Sequence, residues 1–385
     1  MATTNWQTKK LGELANYING YPFKPTDWVS SGLPIIRIQN LNDTNKDYHY
    51  FNGDIGEKYR VRKGDILISW SASLGSYIWD KDEAWLNQHI FKVLVNEKEI
   101  NKDFFYLLSM TVLEEMKRKA HGGTMKHITK NLFENIQVQV PPLSIQQQIV
   151  ERLDAIRKLQ ELNNKEIEKA EELFDSYLVQ QFTHNKKLVT KKIGEVTESI
   201  SYGLSTSVAG NLDENGTPIL TMAEVNDDGS ISYLRIRKIK VGEKERNKFL
   251  LSKGDVLFNW RNASKKLIGK TVIFESDRPT IYASFLLKVV PKAELSNYYL
   301  AYYLNFLRRS NYFSNYCKEQ ANNTVNASEL RTIDIHYPPL AEQKKIVDEL
   351  FAIQKYKEQL LLQKEAVTSF FESTLNKAMK GELVQ

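Results

Sequence analysis

The sequence predicts an α+β protein built from two tandem repeated domains, each followed by a long helix. Three observations indicate this architecture: short motifs recur in the same order along the 385-residue chain, β-rich runs alternate with turn residues, and two long segments contain neither Gly nor Pro. The length also favours two domains, because single hydrophobic cores stop growing at about 250–300 residues. We predict a first domain at 1–143, its helix at 144–184, a second domain at 185–340 and its helix at 341–385.

The repeat is clearest in two pairs of motifs. "VRKGDILISW" at 61–70 returns as "LSKGDVLFNW" at 251–260, and "VPPLSIQQQIVERL" at 140–153 shares seven of fourteen positions with "YPPLAEQKKIVDEL" at 337–350. The first pair lies 190 residues apart and the second 197, as expected if loops differ in length between two copies of one domain. The pattern is typical of a tandem duplication.

Each domain is predicted to combine a sheet with bracing helices. Short β-rich runs at 35–38 and 65–68 are separated by turn signals such as Lys63-Gly64-Asp65. The aromatic segments at 103–119 and 296–309 are predicted to be helical and to pack on the sheet. Trp70 and Trp260 fill the same place in both copies and are interpreted as core residues.

The segments after the Pro-Pro-Leu motifs are predicted to form two helices that pair. Ser144 and Gln147 fit a capping box at the first helix start. The pairing is predicted to be an antiparallel coiled coil with pseudo-twofold symmetry, because an isolated helix would expose its apolar seam. The alternative is that each helix folds back on its own domain. The predicted seams are Ile149, Leu153, Ile156, Ile167, Ala170, Phe174 and Tyr177, and Ile346, Leu350, Ile353, Leu360, Val367 and Phe371.

Composition and charge narrow the class of protein. The start carries no apolar leader, no run is long enough to cross a membrane, and Cys317 stands alone, so we expect a soluble, cytoplasmic protein. The net charge of +6 divides as +2 and +7 for the two domains and −3 and 0 for the helices that follow them. Basic domains suit a polyanionic partner, and the acidic or neutral helices suit a protein partner.

No motif for catalysis is apparent. The Pro-Pro pairs lack the Asn/Asp-Pro-Pro-aromatic pattern of a methyltransferase, and no phosphate-binding loop of the Walker type occurs. The six His residues lack ligand spacing, and Asp65 and Asp255 are better explained by turns than by metal-dependent chemistry. We therefore predict no catalytic residue and no metal site.

Residue types that contact bases and phosphates concentrate in matching stretches of the two domains. Different residues at aligned positions, such as Ser71 and Arg261, predict two different DNA targets. The first-domain candidates are Arg37, Gln39, Asn40, Ser69, Ser71, Ser73, Lys117, Arg118, Lys119, Thr124, Lys126 and His127. The second-domain candidates are Thr221, Asn226, Asn259, Arg261, Asn262, Lys265, Lys266, Asn322, Asn323, Thr324 and Asn326.

Over essentially its whole length the chain resembles the specificity (S) subunits of type I restriction–modification enzymes. The resemblance rests on "PPLSIQQQIVERLDAI" at 141–156, "PPLAEQKKIVDELFAI" at 338–353, the paired "KGDILISW" and "KGDVLFNW", and the terminal "STLNKAMKGEL". Ile145 departs from the pattern, since the family favours Glu there and the second copy has Glu342.

The resemblance implies a DNA-binding subunit without catalysis. In that family each recognition domain reads one half of a bipartite, asymmetric site in double-stranded DNA, and the helices set the spacer. The implied partners are two methyltransferase (M) subunits docked on the helices and restriction (R) subunits in the full complex. S-adenosylmethionine is expected on the M subunits, and no cofactor on this chain.

Two other classes of function stay open on the sequence alone. One is a self-sufficient nuclease or methyltransferase, which purified chain would reveal by modifying DNA. The other is a scaffold whose two domains bind proteins, against which salt-sensitive binding to duplex DNA would count.

Overall fold

The computed structural model of the chain describes residues 6–43, 45–71, 73–120, 129–320 and 323–383. The chain divides into two compact units, Met1–Asn164 with Leu362–Gln385, and Lys165–Leu361. Each unit therefore contains one repeated domain and part of each long helix.

Most of the strands, and the helices that follow them, have the same order in the two halves of the chain. The first half contains β1 (Gln7–Lys10), α1 (Leu11–Leu14), β2 (Ala15–Asn19), β3 (Leu33–Ile36), α2 (Ile38–Asn42), β4 (His49–Phe51), β5 (Arg60–Val61), β6 (Ile66–Ser69), β7 (Gly75–Ile78), β8 (Ala84–Leu86), β9 (Ile90–Val95), α3 (Lys102–Ala120), α4 (Lys130–Glu134), β10 (Gln137–Val140) and α5 (Leu143–Thr183). The second half contains β11 (Val189–Lys192), β12 (Thr197–Tyr202), β13 (Leu212–Leu220), β14 (Arg237–Ile239), α6 (Glu243–Phe249), β15 (Val256–Asn259), β16 (Thr271–Ile273), β17 (Ile281–Tyr282), β18 (Leu286–Pro291), α7 (Asn297–Arg309), α8 (Tyr312–Glu319), α9 (Ala327–Thr332), β19 (Asp334–Tyr337) and α10 (Leu340–Met379).

The sheets of the two domains share one topology. An antiparallel sheet has the order β2-β9-β6-β7 in the first domain and β12-β18-β15-β16 in the second. Beside it, β3 pairs in parallel with β8 and antiparallel with β4, as β13 does with β17 and β14. A short antiparallel pair, β1–β10 or β11–β19, closes each domain next to its long helix. The predicted duplication and α+β class are confirmed.

The Lys-Gly-Asp motifs form matching tight turns before β6 and β15. Gly64 and Gly254 have φ angles of +91° and +90°, a region that favours Gly. The carboxylates of Asp65 and Asp255 each accept a bond from the backbone N–H three residues earlier, at 2.8 and 2.9 Å. Each carboxylate also pairs with a lysine of the neighbouring strand, at 3.0 and 3.3 Å. Both aspartates therefore stabilise turns, in agreement with the interpretation from the sequence.

The Pro-Pro-Leu motifs start the long helices. Carbonyl oxygens of Pro142 and Pro339 accept the first N–H bonds of α5 and α10. The predicted capping box is wrong, because α5 begins at Leu143 and Ser144 already lies inside it. Gln147 instead accepts a bond from the Asn101 side chain at 3.2 Å.

In the first unit, the start of α5 packs against the end of α10. Ile149, Leu153 and Ile156 share a buried apolar cluster with Val367 and Ala378. Burying one such aliphatic side chain contributes roughly 1.5–3 kcal/mol. Residues near the start of one helix meet residues near the end of the other, so the helices run antiparallel.

The second unit shows the converse pairing. Phe174, Leu178 and Phe182 near the end of α5 share a buried cluster with Ile346 and Leu350 near the start of α10. The predicted antiparallel pairing is confirmed in each unit, and the seam also includes Leu178 and Phe182, which the heptad pattern did not contain. The helices begin one residue before the predicted positions.

Candidate nucleic-acid interface

Predicted DNA-contacting residues of the second domain come together from two separate stretches. Arg261 and Thr324 form an antiparallel β-bridge, and the N–H of Val325 donates to the carbonyl of Trp260 at 2.8 Å. The side chain of Asn323 reaches the carbonyl of Ala263 at 3.4 Å. We call the resulting surface the second-domain patch and define it as Arg261, Asn262, Lys265, Lys266, Asn323 and Thr324.

The patch is basic and partly fixed by internal bonds. Arg261, Lys266 and Asn323 are exposed, whereas Asn262 and Lys265 are half-buried. The Lys265 ammonium donates to the carbonyl of Cys317 at 3.3 Å, which holds one end of the loop against α8. Cationic and amide side chains on an exposed loop are the groups that contact phosphates and base edges.

Other second-domain candidates have internal roles. Asn259 is fully buried at the end of β15. Thr221 is 7% exposed, and its hydroxyl donates to the Glu224 carboxylate at 2.7 Å. Asn226 bonds Ser230 and Ser232. The Asn326 side chain accepts from two backbone N–H groups at the start of α9, as an N-cap.

The first-domain candidates around α2 also divide into exposed and internal groups. Asn40 is buried, and its amide donates to the carbonyls of Lys46 and Asp47 at 3.0 and 3.2 Å, so it fixes a turn. Gln39 is exposed. The Arg37 guanidinium is half-buried and donates to the Asp47 carbonyl at 3.0 Å. Of these three, Gln39 is the most accessible to a ligand.

The candidate serines at the end of β6 and just after it are mostly buried. Ser69 is fully buried and donates to the carbonyl of Ser73, and Ser71 is 6% exposed. Ser73 is half-buried. Asn40, Ser69 and Asn259, all predicted to contact DNA, are therefore buried and bonded within the fold.

The stretch at 117–130, which its charge and its two glycines also led us to interpret as a basic loop, starts inside a helix. Lys117 and Arg118 belong to α3, where Lys117 pairs with Glu114. For these two residues the loop interpretation is wrong and the helix predicted at 103–119 is confirmed, because the Gly pair comes only at 122–123. The side chain of Lys119, the residues Thr124, Lys126 and His127, and Asn322 of the second domain lie outside the described part of the chain.

The structure adds aromatic residues that sequence reasoning missed. Tyr202 and Phe285 are 43% and 39% exposed beside the second-domain patch. In the first domain, Trp28 is 39% exposed and stacks on His49, with ring centroids 3.8 Å apart. Aromatics at strand ends look like core residues in a sequence, so only comparison of aligned positions in the two copies could have flagged them.

A cation lies close to this indole–imidazole stack. The Arg37 guanidinium is 6.0 Å from the Trp28 ring centroid. Burial, and then the charge of Arg37, lower the pKa of His49 below its ordinary value of 6.5. The imidazole is therefore neutral near neutral pH and can both donate and accept hydrogen bonds.

The described residues contain neither a metal-binding cluster nor a helix that could span a membrane. No cluster of three or more His, Cys, Asp or Glu side chains there is arranged to hold a metal ion. None of the helices described has the length and apolar character required to cross a bilayer.

The family of the chain follows from comparison with known proteins. A family model described as the type I restriction modification DNA specificity domain matches twice, at residues 3–172 and 185–367. These matches cover most of both repeated halves, so the chain belongs to this family and carries two copies of its DNA specificity domain.

Relatives of similar length carry more particular names. The chain is 24% identical to the EcoBI specificity subunit of a type I restriction enzyme from Escherichia coli, covering 98% of this chain and 86% of that protein. It is 23% identical to the MjaVIII specificity subunit from Methanocaldococcus jannaschii, covering 98% and 93%.

Solved structures share the fold. A chain from a study of complex assembly and conformational transition of the type I R-M system superposes with a TM-score of 0.67 at 21% identity, over 100% of both chains. The HsdS subunit from Thermoanaerobacter tengcongensis gives a TM-score of 0.53 at 20% identity, over 99% of this chain and 98% of that one.

Proposed function

We propose that this chain is the specificity subunit of a type I restriction–modification enzyme and that each domain reads one half of a bipartite, asymmetric DNA site. The observation that carries the proposal is one fold built twice with different side chains at matched positions. Ser71 in the first domain corresponds to Arg261 in the second, each directly after the tryptophan that ends the Lys-Gly-Asp motif. Two similar scaffolds with unlike contact residues suit two unlike half-sites.

The second-domain patch supplies groups for both parts of DNA recognition. Lys265 and Lys266 suit phosphates, which position the domain without reading sequence. Arg261, Asn262 and Asn323 have side chains that match base edges in the major groove. Contacts of the first kind make affinity fall as salt rises.

The long helices are proposed to dock two M subunits and to set the spacer between the half-sites. Phe351, Leu362 and Phe370 on α10 are 61%, 66% and 59% exposed, more than a helix needing no partner would leave in water. The M subunits would carry S-adenosylmethionine and methylate the site, and R subunits would join for restriction. The chain itself is proposed to be non-catalytic and to work in the cytoplasm, where the DNA is.

The test is methylome sequencing of cells that express this chain together with the methyltransferase subunit encoded beside it. We expect one methylated motif with two unlike halves and a fixed gap, absent from cells that express the methyltransferase subunit alone. A soluble, intact complex that leaves DNA unmethylated and binds duplex DNA without salt dependence would overturn the proposal in favour of a protein scaffold.

A further inference from the structure

A tryptophan occupies the same place in both domains, at the end of the central strand β6 or β15. The backbone N–H of Trp70 donates to the carbonyl of His89 at 3.3 Å, and that of Trp260 donates to the carbonyl of Phe285 at 3.3 Å. His89 and Phe285 are therefore structurally equivalent, although one is an imidazole and the other a phenyl ring.

A second pair of equivalent positions borders the tryptophans. Strand β2 ends at Asn19, which pairs with Phe91, and β12 ends at Tyr202, which pairs with Leu287. Phe91 and Leu287 each lie two residues after the equivalent His89 and Phe285, so Asn19 and Tyr202 match. Together with the residue after each tryptophan, these positions define two platforms: Asn19, Trp70, Ser71 and His89, and Tyr202, Trp260, Arg261 and Phe285.

The second-domain platform is a rigid aromatic surface that carries a cation. The Arg261 guanidinium lies 5.9 Å from the ring centroid of Phe285. Tyr202 meets Trp260 edge-on at 5.3 Å, and its hydroxyl accepts the N–H of Ala327 at 3.1 Å. The Trp260 indole N–H donates to the Ser284 carbonyl at 2.7 Å, which fixes the orientation of the indole ring.

The first-domain platform has a tryptophan at the same position, but the residues around this tryptophan are different. The ring of His89 lies 5.3 Å from that of Trp70. Their Nδ1 and Nε1 atoms are buried and, among the residues that the structure describes, have no hydrogen-bond partner. Asn19 is exposed where the second domain has Tyr202. Of the four residues only Asn19 is exposed, Ser71 is buried, and none is Lys or Arg.

We propose that these two platforms are the positions by which the two domains select different bases, and that Arg261, positioned by Phe285, reads a guanine in the second half-site. This inference rests on the proposed function. A guanidinium matches the O6 and N7 acceptors of guanine with two parallel N–H bonds. Contact with the phenyl face limits the conformations of an exposed arginine, so less entropy is lost on binding. Arg261 contacts the base, and Phe285 is a positioning residue.

The first experiment exchanges the variable second-domain positions for their first-domain equivalents, Tyr202→Asn, Arg261→Ser and Phe285→His together, in the full complex. Methylome sequencing is expected to show a changed second half-site with the first half-site and the gap unchanged. The matched control is Ser199→Asn, an exposed position on β12 whose equivalent on β2 is Asn16, and it should leave the motif intact. An unchanged motif in the triple variant would overturn the inference.

A second experiment does not depend on the triple variant folding. Each guanine of the second half-site is replaced in turn by 7-deazaguanine, which lacks the N7 acceptor, and binding of the complex is measured. One replacement should weaken wild-type binding about tenfold, within the range for one bidentate contact, and should have little effect on Arg261→Met, whose side chain has no N–H donor for N7. A second half-site without guanine, or one that tolerates every replacement, would refute the assignment of Arg261.

The role of Phe285 is tested by discrimination rather than affinity. Phe285→Leu should lower the preference for guanine over adenine at that position several-fold, because the guanidinium loses its support. Phe285→Tyr should restore the preference. If the wild type and both variants prefer guanine over adenine equally, Phe285 does not position Arg261. If the wild-type complex methylates no bipartite motif at all, the proposed function fails rather than this inference.

Discussion

A buried glutamine joins two backbone segments in each unit. The Gln343 side chain donates to the carbonyls of Pro338 and Glu294 at 2.8 and 2.9 Å and accepts from the N–H of Ser296 at 2.8 Å. Gln146 makes the equivalent bonds to Pro141 and to the N–H before α3, at 2.8 and 2.7 Å. The glutamine therefore locks the start of each long helix to the helix that braces the sheet, which explains its presence in both Pro-Pro-Leu motifs.

Replacement of this glutamine should destabilise the chain. In Gln343→Leu, one backbone N–H and two carbonyls would lose their partner in a buried site, so we expect the free energy of unfolding of the second unit to fall by about 2–4 kcal/mol. Urea unfolding followed by circular dichroism measures this change. Gln359→Leu, on an exposed face of the same helix, should change stability by no more than about 0.5 kcal/mol. Equal effects of the two substitutions would contradict the assigned role.

At the scale of single residues, the sequence predicted turns better than contacts. The Lys-Gly-Asp turns were predictable because Gly and Asp favour such backbone geometry locally. The burial of Asn40 and Asn259 was not, because a polar residue near a strand end can face solvent or satisfy a neighbouring carbonyl, and tertiary packing decides which. The exposed Phe285 shows the reverse case, an aromatic that sequence alone would place inside.

At the scale of elements, periodicity predicted the long helices and their pairing, since a seam of apolar residues on a breaker-free segment must be covered. Local signals at helix ends were less reliable. The predicted Ser144 cap is wrong because the Pro142 carbonyl already accepts the first N–H bonds of α5, so that Ser144 lies inside the helix. Helix α3 continues through Lys117 and Arg118, as predicted for 103–119, because these residues are good helix formers and the Gly pair comes later, at 122–123.

An ion-pair network ties three helices of the second unit together. Glu171 of α5 bonds Lys357 of α10 and lies 3.0 Å from Arg309 of α7. Burial alone would raise the pKa of Glu171, but the bonds to both cations outweigh it and hold the pKa below the ordinary 4.5. A carboxyl with a lowered pKa in the folded state stabilises the fold above its ordinary pKa, and this stability is lost as the pH falls through the folded-state value.

Glu171→Gln should therefore destabilise the second unit in a pH-dependent way. The expected loss is about 1 kcal/mol near neutral pH, small because the side chain is partly exposed to solvent. The difference from wild type should shrink as the pH falls below 4.5, where wild-type Glu171 also loses its charge. Urea unfolding at several pH values measures this, with the exposed neighbour Glu172→Gln as the control. A difference that stays constant with pH would mean that packing, not charge, is responsible.

At the scale of the whole molecule, the two long helices are the elements that both units share. Helix α5 begins in the first unit and ends in the second, and α10 begins in the second and ends in the first. Because their pairing is antiparallel within each unit, equal insertions at equivalent points lengthen both helices without shifting either set of contacts. An insertion in one helix alone would shift one set relative to the other.

This arrangement predicts the effect of lengthening the helices. Four residues inserted after Asn164 of α5 and after Leu361 of α10 add about one turn, or roughly 6 Å. At about 3.4 Å per base pair, the methylated motif should gain a spacer of one to two base pairs, with both half-sites unchanged. Methylome sequencing of the variant complex reads this directly. The control with α5 alone lengthened should lose stability or methylation, because the apolar seam falls out of register. A changed half-site in the doubly lengthened variant would mean that the helices take part in reading the bases and do not only separate the domains.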